Sequence, residues 1–294
     1  MAMIEPVRTS RFATDTAVQA LGGGRYEANI DHSWWIINGP NGGYVAAIIL
    51  RAMVAEAAAT DLAVTDPAEH AKQARSATFH FLRSPVVGPV RIEVAVERSG
   101  RSVTNLSARL IQNGRLMVVA LAAVAAPRPT AVAFDDDPGF ASLPGGPPPR
   151  PTDVAPQPID PDRNVPMRSH YDMRWVFGDL PFHPNPDLVP TARCGGWLSL
   201  AEPVERVDET VLCAMSDAWL PPIFSRVDQQ VAVPTVELTV HFRRRPPEDH
   251  PDAGWCLIDV TSPIVEDGYV VEHGRILGPD GRLLAESRQL AVVV

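Results

Sequence analysis

The sequence predicts an α+β protein built as two tandem repeats, each a long central helix wrapped by an antiparallel β-sheet. Three observations carry this. The phrase His-Phe-x-Arg-x-Pro occurs twice, at residues 80–85 and 241–246, and each copy opens a similar run of strand-like sequence. Alternating apolar runs follow each copy, separated by Asn-Gly or Asp-Gly. These dipeptides are strong hairpin signals, because both central residues of a type I′ turn need positive φ. A helical segment stands upstream of each phrase. Repetition on this scale means one fold written twice, so the two copies can be compared position by position.

The elements follow in order. Residues 25–30 read as a strand. Asn41-Gly42-Gly43 then leads into 44–58, which is apolar on nearly every face and too rich in Ala, Ile, Leu and Met for a surface helix, so it reads as a core helix enclosed by a sheet. After the first phrase come a strand over 91–99, a turn at Gly100-Arg101, a strand over 103–112, the turn Asn113-Gly114-Arg115-Leu116 and an apolar strand to Ala126. The first repeat thus occupies 1–126. Prolines 138, 144, 147, 148, 149, 151, 156, 158 and 161 exclude regular structure between 127 and 166, which reads as a semi-rigid linker draped over the surface. The second repeat, 167–294, has strands over 172–176 and 195–200. Its helix, 207–220, carries acids in the first turn, where the helix dipole favours them, and stops at Pro221-Pro222. Strands over 255–265 and 269–277 and a last strand to 294 are separated by turns at Asp267-Gly268 and Asp280-Gly281-Arg282-Leu283. Each half therefore ends in an antiparallel meander of about four strands.

Composition bounds the function. With 294 residues and 45% hydrophobic content the chain suits two domains with real cores. A formal charge of −9 argues against nonspecific nucleic-acid binding, since phosphates would be repelled. Cys194, Cys213 and Cys256 are an odd, widely spaced set with no Cys-x-x-Cys, which disfavours a disulfide framework or a zinc site; no metal and no cofactor are expected. Residues 1–16 hold no signal-like apolar run, and no uncharged 18-residue membrane span is expected, which makes the cytoplasm the expected compartment. There is no Gly-x-Ser-x-Gly elbow, so a serine hydrolase is disfavoured.

A long apolar helix enclosed by an antiparallel meander, twice in one chain, with Asn-Gly-Gly-Tyr at the first helix start, resembles the double-hotdog acyl-CoA thioesterases of the thioesterase II (TesB-like) family. The resemblance covers roughly residues 11–126 and 167–294. It implies hydrolysis of acyl-CoA by Asp, Thr and Gln in the second half, within fatty acid metabolism. The family Asp lies in a Ser-Asp pair shortly before Leu-Pro, which Ser216-Asp217 and Leu220-Pro221 match. The family Thr lies seven residues before a Phe, as Thr235 does before Phe242. The family Gln lies on the final strand after an Asp-Gly turn and a Leu-Ala pair, which puts Gln289 in that role. The chain departs from the family in having Arg243-Arg244-Arg245 after His241-Phe242, and Asn-Gly-Gly-Tyr where the family often has Gly-Gly-Gln.

The residues make chemical sense on their own. Thioester hydrolysis needs a base for water, a group to hold that water, and donors for the oxyanion. Asp217, flanked by Met215, Ala218 and Trp219, is the candidate base, with a pKa raised by desolvation. Thr235 and Gln289 are polar side chains on otherwise apolar strands, suited to fixing water and thioester. The N–H groups of Gly42 and Gly43, with Asn41 beside them, are candidate oxyanion or substrate donors at a helix N-terminus, or else serve close helix packing. Arg243, Arg244 and Arg245 either contact the phosphates of CoA or form a solvated surface. Alignment on the repeated phrase sets Thr235 opposite Ala74, and alignment on the Gly-Arg-Leu turns sets Gln289 opposite Ala122; Asp217 falls near Leu50 or Arg51. The first copy lacks the trio, which predicts one site per chain. Two other readings stay open: a noncatalytic acyl or acyl-CoA binding protein on the same scaffold, and an enoyl-CoA hydratase, of whose signature only scattered pieces occur. Exposed edges of two joined sheets would suit a homo-oligomer.

Overall fold

The structure, a computed structural model, describes residues 10–62, 72–157, 165–183, 191–229 and 231–294. A short helix α1 (Arg11–Asp15) and strands β1 (Gln19–Gly22) and β2 (Arg25–Ile30) precede the long helix α2 (Gly42–Leu62), followed by β3 (Gln73–Phe81), β4 (Gly88–Ser99), β5 (Val103–Gln112) and β6 (Arg115–Ala125). The second half has β7 (Tyr171–Phe177), β8 (Arg193–Leu200), the helix α3 (Glu209–Met215), β9 (Thr235–Phe242), β10 (Cys256–Glu266), β11 (Tyr269–Leu277) and β12 (Leu283–Val292). The twelve strands among the described residues form one sheet, in the order β1-β2-β4-β5-β6-β3-β9-β12-β11-β10-β8-β7. This is the expected fold: two helix-in-sheet repeats, with the two sheets continuous.

The repeated phrase lies at the seam. β3 pairs antiparallel with β9, with Thr78 opposite Thr239, Ser76 opposite His241 and His80 opposite Glu237. Counted from the phrase, Thr78 and Thr239 are the same position in the two copies, so a local twofold axis passes between them; their hydroxyls hydrogen-bond at 2.9 Å. His80 and His241 are exposed residues of this seam.

Both ends of the duplication share one register. Ala74 faces Val124 and Ala77 faces Ala122 across β3 and β6. Thr235 faces Ala291 and Leu238 faces Gln289 across β9 and β12. Thr235 and Ala74, and Gln289 and Ala122, therefore occupy equivalent places in the ladders.

Four details differ from the sequence reading. The phrase strand does not lead a meander: β3 pairs with β6, at the far side of β4 and β5, because Pro85 and the segment before Pro89 carry no tight-turn signal and the chain crosses over instead. Strand β1 was not anticipated. The Asn113-Gly114 and Asp267-Gly268 turns have positive φ at both residues, as type I′ requires, but at Asp280-Gly281 only the glycine does. There Gly278 N–H bonds the Arg282 carbonyl at 2.8 Å, closing a longer loop around Pro279. The second helix is also shorter than 207–220. Asp208 caps it by accepting from the N–H groups of Thr210 and Val211, and after Met215 the chain leaves the helix in a turn.

The core lies between the sheet and the two antiparallel helices. Tyr44, Ile48, Ile49, Leu50 and Met53 of α2 are fully buried, each contributing roughly 1.5–3 kcal/mol by leaving water. By length and composition Gly42–Thr60 could cross a bilayer; in this fold it is the core helix, with 61% of that stretch buried.

The proline segment is more than a tether. Phe140, Leu143 and Val154 pack with Phe177, Trp197, Leu257, Leu277 and Leu283 into a second small core on the outer face of the second half. Arg150 forks onto the buried carboxylate of Asp252 at 2.8 and 3.0 Å. Prolines 158 and 161 lie outside the described residues.

Candidate active site

The site forms where the start of α2, from the first half, meets the turn after α3, from the second. Asn41 caps α2: its Oδ1 accepts from the Tyr44 N–H at 3.0 Å. Its Nδ2 donates to the Asp217 carbonyl at 2.8 Å and to Asp217 Oδ2 at 3.1 Å. The Gly43 N–H donates to the same Oδ2 at 2.8 Å. Asp217 thus closes onto the positive end of a 21-residue helix, where a negative charge is favoured. Burial wins over that help: desolvation pushes the Asp217 carboxyl up to about 6, while the donors from Gly43, Gln289, Gly42 and Asn41 pull it back down.

Close approach explains the two glycines. A Cβ on Gly43 would stand 2.5 Å from the Ala214 carbonyl oxygen and 3.0 Å from Asp217 Cβ; one on Gly42 would stand 2.8 Å from Asp217 Oδ2. The sequence reading offered their N–H groups to an oxyanion. The structure turns that of Gly43 onto the carboxylate instead, so helix packing and the anchoring of Asp217 account for both glycines.

Gln289 and Thr235 complete the cluster. Thr235 faces Ala291, two residues along β12 from Gln289, so both side chains leave the same face of the sheet. Gln289 Nε2 donates to Thr235 Oγ1 at 2.7 Å. Asp217, Thr235 and Gln289, scattered over the second half, are brought to one place. Trp219, two residues after Asp217, stacks on Trp175 at 5.3 Å.

The arginines are not brought there. Arg243 pairs with Glu286 at 2.7 Å, Arg244 with Asp135 at 2.8 Å and Arg245 with Glu209 at 2.9 Å. They follow the far end of β9, roughly 25 Å along the strand from Thr235 at about 3.3 Å per residue.

Two neighbours escaped the sequence reading. Glu272 on β11 faces Gln289 and is buried; burial, and then the Asp217 charge, push its carboxyl up to about 8. The hydroxyl of Tyr171 is buried without a partner among the described residues, and its pKa is raised by burial and by Asp217. Strict alternation in β11 (Val270, Glu272, Gly274, Ile276 inward) was the available signal for Glu272; Tyr171 had none.

Residues 31–125 match the model of the acyl-CoA thioesterase N-terminal domain, and residues 151–293 match that of the acyl-CoA thioesterase C-terminal domain. The chain belongs to the thioesterase II (TesB-like) family of acyl-CoA thioesterases. Among solved structures it is similar to the "putative thioesterase II" of Thermobifida fusca YX, at 28% identity over 98% of this chain and 99% of that one, with a TM-score of 0.77. A hot dog fold protein of unknown function from Alicyclobacillus acidocaldarius is 25% identical over 97% and 98% of the chains, with a TM-score of 0.79. The acyl-CoA thioesterase II TesB2 of Mycobacterium marinum, at 21% identity over 96% and 98% and a TM-score of 0.68, shares the fold. No curated protein matches. Within the thioesterase II frame, the site draws a helix terminus and Asn41 from the N-terminal domain, and Asp217, Thr235 and Gln289 from the C-terminal one.

Proposed function

We propose that the protein hydrolyses acyl-CoA thioesters, with Asp217 as the base that takes a proton from the attacking water. The observation that carries this is the Asp217–Gln289–Thr235 cluster set on the start of α2. Oδ2 of Asp217 is held by Gly43 and Asn41, which leaves Oδ1 free of those donors and available to a water. A carboxyl near 6 is mostly ionised at neutral pH and is a stronger base than an ordinary aspartate, which suits proton abstraction from water. Thr235 Oγ1 accepts from Gln289, so its own proton points elsewhere, toward water or the thioester oxygen. The other Gln289 N–H is directed to the Asp217 carboxylate, so Gln289 ties the base to Thr235.

The acyl chain has a suitable path. Val270 and Ala291 lie two residues beyond Glu272 and Gln289 on the same sheet face and form an apolar cluster with Ile223. Beyond it opens a cleft of about 610 Å³ lined by Ile223, Val231, Ile264 and Val293, among others. Acyl-CoA in the cytoplasm is accordingly the proposed substrate, and fatty acid turnover the proposed setting.

The test is thiol release from a panel of acyl-CoA chain lengths by the wild type and by Asp217→Asn. Turnover by the wild type, lost by at least a thousandfold in the variant, supports the reading; no turnover on any chain length overturns it in favour of a binding protein.

A further inference from the structure

Glu272 is an acid in a place where the fold does not ask for one. It lies mid-strand in β11 with its side chain on the inner face, between Val270 and Gly274 along the strand and directly opposite Gln289 on β12. Only 8% of its surface is exposed, and its Oε1 has no hydrogen-bond partner among the described residues. Leaving a buried carboxyl oxygen unpaired is costly, and such groups call for an explanation. The first half provides the control. There Ala122, the counterpart of Gln289, faces Leu106 on β5, so Leu106 is the counterpart of Glu272, and it is fully buried. The same scaffold position is thus filled by leucine where the trio is absent and by a carboxyl where the trio is present.

Neighbouring residues on a sheet face have Cβ atoms about 5 Å apart, which brings the Glu272 carboxyl within reach of the Gln289 amide and of anything bound beside it. Among the described residues, the titratable groups coupled to it by charge are Asp217, from the turn after α3, and Cys194, from β8. Asp259 of β10 also acts on Cys194, but its carboxylate is held by Arg193 at 2.9 Å. Gln289 and Thr235 are neutral. On the adjacent strand β10, Ser262 Oγ is a second buried polar atom without a partner among the described residues.

We propose that Glu272 is a second acid–base residue of this site, holding the proton that the departing thiolate takes. The proposal rests on the thioesterase reading above. The water oxygen bonds to the thioester carbon as Asp217 takes one of its protons, and the carbonyl electron pair moves onto oxygen. When that pair returns, the C–S bond breaks and the sulfur takes the proton from Glu272, leaving as thiol. The proton on Asp217 then passes to Glu272, which restores both groups; water and thioester have become acid and thiol. The protonation states suit these roles. Asp217, at about 6, is ionised at neutral pH, while Glu272, at about 8, keeps its proton. Two carboxyls driven apart by their surroundings form a base and an acid.

The test uses Glu272→Gln, which keeps the shape but gives up no proton, and Glu272→Leu, which installs the residue of the first half. Thiol release is measured on an acyl-CoA and on the aryl thioester of the same acid, whose thiolate leaves without a proton. Both variants should lose about a hundredfold in kcat on the acyl-CoA with KM within a few-fold, as loss of a general acid does. They should stay within about threefold of wild type on the aryl thioester, since no general acid is needed there. The fall in wild-type rate above about pH 8 should vanish in both variants. Glu272→Leu should melt no lower than the wild type, because it removes an unpaired buried carboxyl. Equal losses on both thioesters, unchanged rates on the acyl-CoA, or a persistent alkaline limb would overturn the role of Glu272 while leaving the thioesterase reading intact. A wild type inactive on every acyl-CoA would overturn both.

Discussion

Replacing Asp217 by Asn should stabilise the fold while removing its activity, and the gain should grow with pH. Asp217 has an ordinary value of 3.8 and is pushed to about 6 in the folded chain. Its folded value lies above its unfolded one, so the folded state binds this proton more tightly. The resulting stability is fully present below pH 3.8 and is lost as pH rises through about 6. At pH 8 the ionised, buried carboxylate costs up to about 3 kcal/mol, and at pH 5 between about one and two, at 1.36 kcal/mol per pKa unit. These are upper values, because Asp217 keeps some contact with solvent. The asparagine introduced by the substitution can present its amide oxygen to Gly43 and Asn41 in place of Oδ2, so the anchoring survives. The assay is urea unfolding of both proteins at pH 5 and pH 8, with circular dichroism as the probe. The variant should be the more stable at both, by about 1 kcal/mol more at pH 8. A variant less stable at pH 8, or a difference independent of pH, would refute the claim that burial dominates at Asp217.

Two further outcomes follow from the packing around the site. Gly43→Ala places a methyl 2.5 Å from the Ala214 carbonyl oxygen, so α2 and α3 must separate, and activity should fall about a hundredfold together with the melting temperature, in line with misplacement of a catalytic group by about 1 Å. Arg243→Ala and Arg244→Ala remove partners of Glu286 and Asp135 at the surface, so KM for acyl-CoA should change less than twofold at low salt; a tenfold rise would return these arginines to the substrate.

The repeat architecture was legible because duplication supplies its own alignment and because Asn-Gly and Asp-Gly turns have a stereochemical cause. Asp217, Thr235 and Gln289 were legible mainly through family resemblance, and the ladder registers then placed them together. The length of α3 was not legible: residues 207–220 are continuously helix-compatible, and the chain leaves the helix at Met215, where Asp217 bonds to α2 of the other half. The destination of the Gly43 N–H was hidden for the same reason, since it depends on the distance between two helices far apart in sequence. The proline segment looked like a tether because proline excludes regular structure, but Phe140 and Leu143 still bury against Trp197 and Leu283. Glu272 was missed because a single acid in a strand is usually solvated. Only the pairing of β11 with β12 turns it toward Gln289.

The pH dependence of kcat/KM on an acyl-CoA tests the central claim most directly, because it reports the ionisation of the free protein's essential base. If Asp217 activates the water, the wild-type rate should fall tenfold per pH unit below about 6, and Asp217→Asn should lack activity across the range. A wild-type rate that stays level from pH 8 down to pH 5, or a variant that keeps the wild-type profile, would contradict the account.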